Sequence, residues 1–339
     1  MIPMPRALIT GITGQDGSYL AELLIAKGYE VHGVVRRTST LERSRLKHLY
    51  NNPEIYGQRL FLHYADLEDP TTLRRVLVRT APNELYHLAG QSHVGLSFDM
   101  VESTCEMTAQ GTLRLLEMIR DLEHRPRLFH ASSSEIFGHS AGSPQNERTP
   151  FQPVTPYGCA KAFATQMVAI YRQTFNLYAC NGILFNHESP RRGEAFVTRK
   201  ITRAVARIRA GLQDKLSLGN LEPQRDWGYA KEYVEAMWLM LQQEQPDDYV
   251  VATGETHSVR EFLEEAFRLA GLESRKYVVH DQRFLRPAEV DPLVGDTCKV
   301  QRQLGWKPKT TFQGLVKLMV EADIELLKGQ EEGRITVAA

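Results

Sequence analysis

The stretch Arg6-Ala7-Leu8-Ile9-Thr10-Gly11-Ile12-Thr13-Gly14-Gln15-Asp16-Gly17-Ser18-Tyr19-Leu20 decides the fold. Its apolar run predicts a buried strand over Arg6–Ile12, and Tyr19, Leu20, Leu23 and Leu24 recur at helical spacing through Ser18–Ala26. Lys27-Gly28 closes that helix with a basic last turn and a glycine stop. Between strand and helix lies a GxxGxxG turn, whose glycines permit a tight bend, close approach of backbone to a pyrophosphate and tight packing of helix on strand. The helix N-terminus adds a preference for negative charge. A glycine-rich turn alone is weak evidence, but a strand before it and a helix after it favour a dinucleotide site over a plain turn. Gly11, Thr13, Gly14, Gln15, Asp16 and Gly17 are therefore the expected cofactor contacts.

Working outward, Glu30–Val35, Leu60–Tyr64, Glu84–Leu88, Arg127–His130 and Ala179–Leu184 read as further short strands alternating with helical patterns. That alternation implies an α/β chain with a Rossmann-type, doubly wound parallel sheet. Past residue 187 the texture changes to Arg-rich helical segments and loops with Pro190, Pro223, Pro287 and Pro292, closing in an amphipathic stretch to about Leu327. The expected organisation is a dinucleotide-binding domain over 1–187 and a smaller, mainly helical substrate domain over most of 188–339. The boundary is interleaved, because a segment near 228–255, with a strand at Tyr249–Thr253, reads as returning to the first domain.

With 339 residues, 42% of them hydrophobic, the chain can bury an enzyme-sized core. Its 41 basic residues balance 41 acidic ones, so no global field directs it to nucleic acid or an anionic membrane. Cys105, Cys159, Cys180 and Cys298 are scattered without a CxxC pair, which argues against a zinc site or a disulfide framework and for reduced, mostly buried thiols; no metal is expected. No signal-peptide pattern or membrane-length apolar run is present, so cytoplasm is the expected location.

At the end of the second strand, Arg36-Arg37 precede Thr38, Ser39 and Thr40, where an acidic residue would favour NAD. Two guanidiniums and neighbouring hydroxyls suit a ribose 2′-phosphate, so the expected cofactor is NADP; a solvated basic loop is the bland alternative. Asp66-Leu67, after the third strand, are placed to border an adenine, although Asp66 could equally start the next helix with Glu68-Asp69-Pro70.

Tyr157-Gly158-Cys159-Ala160-Lys161 puts a phenol and an ammonium four residues apart, on one helix face if the segment is helical. There the ammonium can lower the phenol pKa and hold a nicotinamide ribose, making Tyr157 a usable base. Upstream, Ser132-Ser133-Ser134-Glu135 follow a strand at a carboxyl end of the sheet, where ligands bind in such folds. Ser133 completes a Ser–Tyr–Lys set. Glu135 adds a carboxylate that a simple reductase does not need, while a capped helix start is the competing reading of the pair.

Longer stretches carry a resemblance over nearly the whole chain: Gly11–Tyr19, Arg36-Arg37, Gln91-Ser92-His93-Val94, Ser133-Ser134-Glu135, Tyr157–Lys161, Asn186–Gly193 as NHESPRRG, Arg225–Ala230 as RDWGYA, and Arg286–Asp291. Together they resemble the GDP-mannose 4,6-dehydratase family of extended short-chain dehydrogenases/reductases. The resemblance implies that the sugar C4 is oxidised by NADP, water is lost across C5 and C6, and the hydride returns to C6. It implies that Tyr157 takes the C4 hydroxyl proton, Ser133 orients that hydroxyl, Lys161 holds the cofactor and Glu135 moves the C5 proton. It further implies NADP contacts from Leu88, Gln91, Ser92, His187 and Arg192. Ser92, Ser133, Glu135, Asn186, Lys200, Asn220, Arg225, Arg286 and Glu289 would meet the nucleotide sugar. A homotetramer in which Thr38–Arg45 reaches a partner's cofactor site is also implied.

This chain departs from the family at Ser133, where Thr is commoner, at Ser103, where a tyrosine is often found, and at His87 and Gly90 in place of Asn and Ala. An epimerase or 4-reductase on the same scaffold, or another GDP-sugar, is the rival enzymatic reading, and a non-catalytic NADP sensor the rival from another class. His187 could be simply a buried hydrogen-bonding residue, and Lys200 part of a solvated basic face on an Arg199–Arg209 helix. Replacing both Arg36 and Arg37 by neutral residues should weaken NADP far more than NAD, because each lost charge-assisted hydrogen bond is worth roughly 1.5–3 kcal/mol. Titration with both cofactors checks this, and equal losses would give the pair a purely structural role.

Overall fold

The computed structural model describes residues 4–37, 44–140, 142–284 and 292–331. Seven strands form its main sheet: β1 (Arg6–Thr10), β2 (Glu30–Val35), β3 (Leu60–Tyr64), β4 (Glu84–His87), β5 (Arg127–Ser133), β6 (Ala179–Leu184) and a later strand at Asp248–Val251. Their order is the later strand, then β6-β5-β4-β1-β2-β3, with every pairing parallel. The chain reverses direction across the sheet at β1, which has β2 on one side and β4 on the other. The crevice beyond the carboxyl ends of β1, β4 and β5 is thus the place this topology offers a ligand.

Alternation along the buried strands builds two cores. Leu8, Leu85 and Leu128 face one side, where they meet Leu73 and Leu77 of α3 (Pro70–Thr80), Leu115 and Leu116 of α5 (Gly111–Arg120), and Val168 of α6 (Pro156–Phe175). Ile9, Val31, Tyr86 and Phe129 face the other, against Leu20 and Leu24 of α1 (Gln15–Ala26) and Tyr233 and Met237 of α8 (Ala230–Leu241). The two short helices between these are α2 (Lys47–Tyr50) and α4 (Val101–Cys105).

The third core lies off the sheet. It joins Ile201 and Val205 of α7 (Val197–Arg209), Phe262 and Phe267 of α9 (Val259–Leu269), and Val316 and Met319 of α11 (Phe312–Glu331). Short strand pairs frame it: β7 (Asn186–Glu188) with β10 (Trp227–Tyr229), β9 (Gln224–Arg225) with β12 (His257–Ser258), and β8 (Leu216–Leu218) with β13 (Val278–His280). Asp248–Val251 is accordingly β11, and α10 (Cys298–Leu304) follows.

Several ends differ from the sequence reading for local reasons. Gly11 has φ +77°, which stops β1 at Thr10, two residues early. The helix after it starts at Gln15, three residues earlier than Ser18. β5 runs three residues past His130, because Ala131, Ser132 and Ser133 keep pairing with Gly182, Ile183 and Leu184 of β6. The thiols are all free, but only Cys180 is buried; Cys159 and Cys298 are exposed and Cys105 is intermediate, correcting the expectation of mostly buried cysteines. Cys159 points outward because the opposite face of α6 carries the buried Tyr157 and Lys161.

A single carboxylate knits the loops between these cores. Asp226, buried between β9 and β10, accepts from Thr253 N (2.8 Å), Thr253 Oγ1 (2.7 Å), Gly254 N (2.9 Å) and Gly295 N (3.3 Å). Burial raises its pKa above the ordinary Asp value despite these donors. Asp226→Asn presents an N–H₂ group to a nest of donors and leaves one or more unpaired. It should therefore cost ~1–3 kcal/mol of stability, read from urea unfolding; an unchanged midpoint would contradict this account.

Candidate active site

The site begins where Gly11 turns the chain. A Cβ on Gly11 would come within 2.9 Å of Ala89 N, and one on Gly17 within 2.3 Å of Gly11 O, so both positions require the absence of a side chain. α1 then starts hard against the end of β1, with Gly14 at its N-cap and no side-chain cap. Its first-turn N–H groups are left for an anion, which makes the turn a fitting cradle for a pyrophosphate.

Gln15 and Asp16 at the head of α1 are tied to the loop after β6. Gln15 Nε2 donates to His187 O (3.0 Å), Ser189 Oγ donates to Gln15 Oε1 (2.8 Å), and His187 Nε2 lies 2.8 Å from Asp16 Oδ2. Arg191 reaches the same helix at Glu22 (2.5 Å) and Ser18 (3.1 Å). Arg45, to which the sequence reading gave no individual role, donates to Arg191 O (2.7 Å) and Thr13 O (3.2 Å) of its own chain, bracing the glycine turn from outside. No local pattern announces a guanidinium that serves two distant carbonyls.

The catalytic candidates converge from β5 and α6. Thr155 caps α6 by accepting from Gly158 N (2.9 Å), and Pro156 occupies its first turn. A Cβ on Gly158 would stand 2.7 Å from Glu135 O, so this glycine lets the start of α6 press on the 3₁₀ turn Ser134–Ile136. Ser133 accepts from Glu135 N (3.3 Å) at the head of that turn, and its hydroxyl is near enough to Tyr157 to pull the phenol pKa down. The competing readings of this cluster therefore coexist: Ser133 caps the turn and faces Tyr157. Glu135 is buried.

The electrostatics follow from burial. Burial pushes the Tyr157 phenol up to about 12; Ser133 and Arg192 pull it down, and Glu135 and Asp16 oppose them. Lys161 is pushed down to about 8 by burial. Its ammonium lies 5.9 Å from the Tyr157 ring centre and donates to Ala131 O (2.6 Å), so strand β5 holds it in place. The lowering of the phenol that spacing assigned to Lys161 is not seen: the phenol is raised, and only Ser133 and Arg192 act against the rise. His87 is held neutral, at about 3, by burial and then by Lys161, between Thr10 Oγ1 (2.8 Å) and Thr112 Oγ1 (3.1 Å).

The remaining candidates spread along the crevice. Arg36 and Arg37 are exposed beyond β2, and Arg36 touches Met107 Sδ at 3.9 Å. Asp66 accepts from Glu68 N (3.2 Å), whereas Asp69 caps α3 through Thr71 N and Thr72 N, so the helix start does not need Asp66; Leu67 is buried. Leu88 follows β4, Ser92 is exposed, and Gln91 is held by His93 O (3.0 Å). Arg192 lies 3.2 Å from Glu188.

Asn186 opens β7, and Arg225 is buried on β9, donating to Gln224 O (2.7 Å). Asn220 is exposed and accepts from Glu222 N (3.0 Å). Lys200 sits 3.3 Å over the Phe284 ring and lines a cavity of about 360 Å³ with Glu194, Arg203, Arg207, Gln213 and Ser217, so it is not on a merely solvated face. Arg286, Glu289 and Thr38–Arg43 lie outside the described residues. No group of three or more metal-ligating side chains occurs among the described residues, and no helix there is long and apolar enough to cross a membrane.

Residues 8–319 match the model of the family described as GDP-mannose 4,6 dehydratase. The chain belongs to this family. GDP-mannose 4,6 dehydratase 2 of Arabidopsis thaliana is 55% identical over 334 residues, covering 97% of this chain and 89% of that protein. The Homo sapiens member is 49% identical, with 96% and 93% covered. Among solved structures, Thermus thermophilus UDP-glucose 4-epimerase in complex with NAD superposes with a TM-score of 0.79 at 26% identity, covering 94% of this chain and 98% of that one. A dTDP-glucose 4,6-dehydratase from Streptomyces venezuelae gives 0.82 at 24% identity, with 94% and 97% covered, and shows the shared fold.

The depressed Lys161 pKa carries a stability consequence. Between about 8 and the ordinary Lys value of 10.5, the unfolded chain binds the proton that the folded chain releases, so stability contributed at this position rises with pH across that window. Lys161→Met should raise stability near neutral pH by ~1–3 kcal/mol and abolish that rise. Urea midpoints measured against pH for both chains test it.

Proposed function

We propose that the chain is an NADP-dependent GDP-mannose 4,6-dehydratase, a hydro-lyase that converts GDP-mannose to GDP-4-keto-6-deoxy-mannose with loss of one water. The observation that carries the reading is the burial of Glu135, its N–H on Ser133 Oγ, on a turn against which Gly158 presses the start of α6 with the buried Tyr157 and with Lys161 fixed on Ala131 O. Family membership and relatives of that name, about half identical over nearly the whole chain, support it. A nicotinamide cofactor accords with the fold neighbours solved with NAD or NADPH, and Arg36-Arg37 with their hydroxyl neighbours support the NADP form.

When bound, the nicotinamide supplies hydride uptake and return. The chain's own groups handle protons and position. Tyr157 Oη removes the proton of the C4 hydroxyl, and Ser133 Oγ orients that hydroxyl. Lys161 Nζ holds the cofactor ribose. A ketone at C4 acidifies C5, and the Glu135 carboxylate takes that proton and passes it to the departing C6 oxygen, which leaves as water; the proton Tyr157 took from the C4 hydroxyl balances the one that returns to C5 when hydride reaches C6. Residues 1–187 carry the cofactor, with the 228–255 segment returning to them, and 188–339 supply most of the sugar-nucleotide pocket through Lys200, Asn220, Arg225, Arg286 and Glu289, joined by Asn186 from the first domain. The proposed assembly is a cytoplasmic homotetramer.

Glu135→Gln should still bind cofactor and substrate and oxidise C4. Elimination should slow by ~10²–10⁴, leaving a reduced-cofactor absorbance after GDP-mannose is added. Tyr157→Phe should show no such absorbance. Product formation by Glu135→Gln at the parental rate, or a product of unchanged mass from the parent chain, would overturn the dehydratase reading.

A further inference from the structure

The glycine turn presents an electrostatic conflict. A helix N-terminus that is to receive a pyrophosphate carries, in its own first turn, the carboxylate of Asp16. That charge suits an empty helix but opposes a bound anion. Strand β7 answers it with His187, whose two ring nitrogens face only acceptors: Nε2 is 2.8 Å from Asp16 Oδ2 and Nδ1 is 2.7 Å from Phe185 O. A neutral imidazole has one N–H and would leave a lone pair against one of these oxygens, whereas the imidazolium satisfies both. The ring is further fixed by stacking on Tyr233 at 4.7 Å and 20°, and Gln15 joins the pair by donating to Asp16 Oδ1 and His187 O at 3.0 Å each.

We propose that Asp16 and His187 form an ion pair that neutralises the anion cradle, so that His187 serves the dinucleotide as a positioning residue acting through Asp16 and not as a direct ligand. The inference rests on the dinucleotide-binding reading of the glycine turn. It changes the role of His187 from a contact to a counter-charge held by two acceptors 2 and 171 residues away.

The surrounding charges act on the pair through Arg192, which favours the Asp16 carboxylate and disfavours the His187 cation. Arg192 is matched by Glu188 at 3.2 Å, and Glu188 also accepts from Thr198 Oγ1 (2.6 Å). Tyr233, from α8, is held as the neutral phenol by burial and by Asp226, Glu232 and Glu188. Burial disfavours charge on both members, yet their mutual attraction wins: Asp16 lies below and His187 above its ordinary value. The cation therefore persists above the ordinary His range and is lost as pH rises through the raised pKa. Loss leaves Asp16 unbalanced at the cradle, so NADP affinity should fall with pH. Lys161, pushed down to about 8, titrates in the same site, and His187→Gln should retain only that part of the profile.

Two measurements test the pair. In the parent chain without cofactor, nitrogen-15 NMR of labelled histidine followed against pH should show one imidazole that keeps both nitrogens protonated above the ordinary His range, and Asp16→Asn should remove that upward shift. Calorimetric titration with NADP should show His187→Gln binding roughly 10-fold more weakly, and Asp16→Asn/His187→Gln recovering to about the level of Asp16→Asn alone. A double variant as weak as His187→Gln would make His187 a direct ligand and overturn the proposal, as would a parent chain with no imidazole protonated above the ordinary His range. A parent chain that binds no nicotinamide dinucleotide defeats the functional reading instead, and the NMR result still decides the ion pair.

Discussion

The contact on which the site depends is that of residue 17 with the Gly11 carbonyl, where a Cβ would stand only 2.3 Å from the oxygen. Without a side chain there, α1 can begin at Gln15 and lie directly on the end of β1. Only from that position can Gln15 and Asp16 meet residues 187 and 189 within hydrogen-bond distance. Gly158 repeats the device on the other side of the crevice, admitting the first turn of α6 to the Glu135 carbonyl and so bringing Tyr157 to Ser133. Two missing side chains thus set the spacing between the glycine turn and the Ser133–Glu135–Tyr157 cluster.

Burial then decides which charges survive at the carboxyl edge of the sheet. His87 and His130 are both held neutral, chiefly by desolvation and then by the nearby Lys161. Their hydrogen-bond partners are hydroxyls and an amide, which tolerate a neutral ring: Thr10 and Thr112 for His87, Asn181 for His130. His187 has a carboxylate and a carbonyl instead and is held in the opposite direction. Equally buried imidazoles part company according to whether acceptor-only atoms face one ring nitrogen or both: Asn181 Oδ1 faces one nitrogen of His130, whereas a carboxylate and a carbonyl face the two nitrogens of His187.

Much of this was legible in the sequence. The strands of the parallel sheet are short continuous apolar runs between helical patterns, and that signal depends on neighbours along the chain. The ends were less legible because they depend on other things. Thr10 ends β1 through a positive φ at Gly11, and Ser133 stays in β5 because β6 continues beside it. The Tyr157–Lys161 spacing correctly placed both side chains on the buried face of α6, but it could not reveal that the ammonium would bond a carbonyl thirty residues upstream. Arg199, within a helix that reads as a basic surface, is buried against Asp323 at 2.5 Å, a partner on α11 that no local window contains.

These long-range partners share a property. The sheet core and the core built on α7, α9 and α11 are separate apolar clusters, and the links between their segments are largely polar. Gln15 meets His187 and Ser189, Arg191 meets Ser18 and Glu22, and Asp226 gathers Thr253, Gly254 and Gly295. Apolar packing tolerates small slides at modest cost, whereas a hydrogen bond weakens steeply once its distance and angle are lost. Proton transfers at adjacent carbons of one sugar require bases placed within about 3 Å of their targets, and misplacement by about 1 Å can cost ~10²-fold in rate. A polar seam therefore suits an enzyme of this family, because directional bonds fix the register that the chemistry needs.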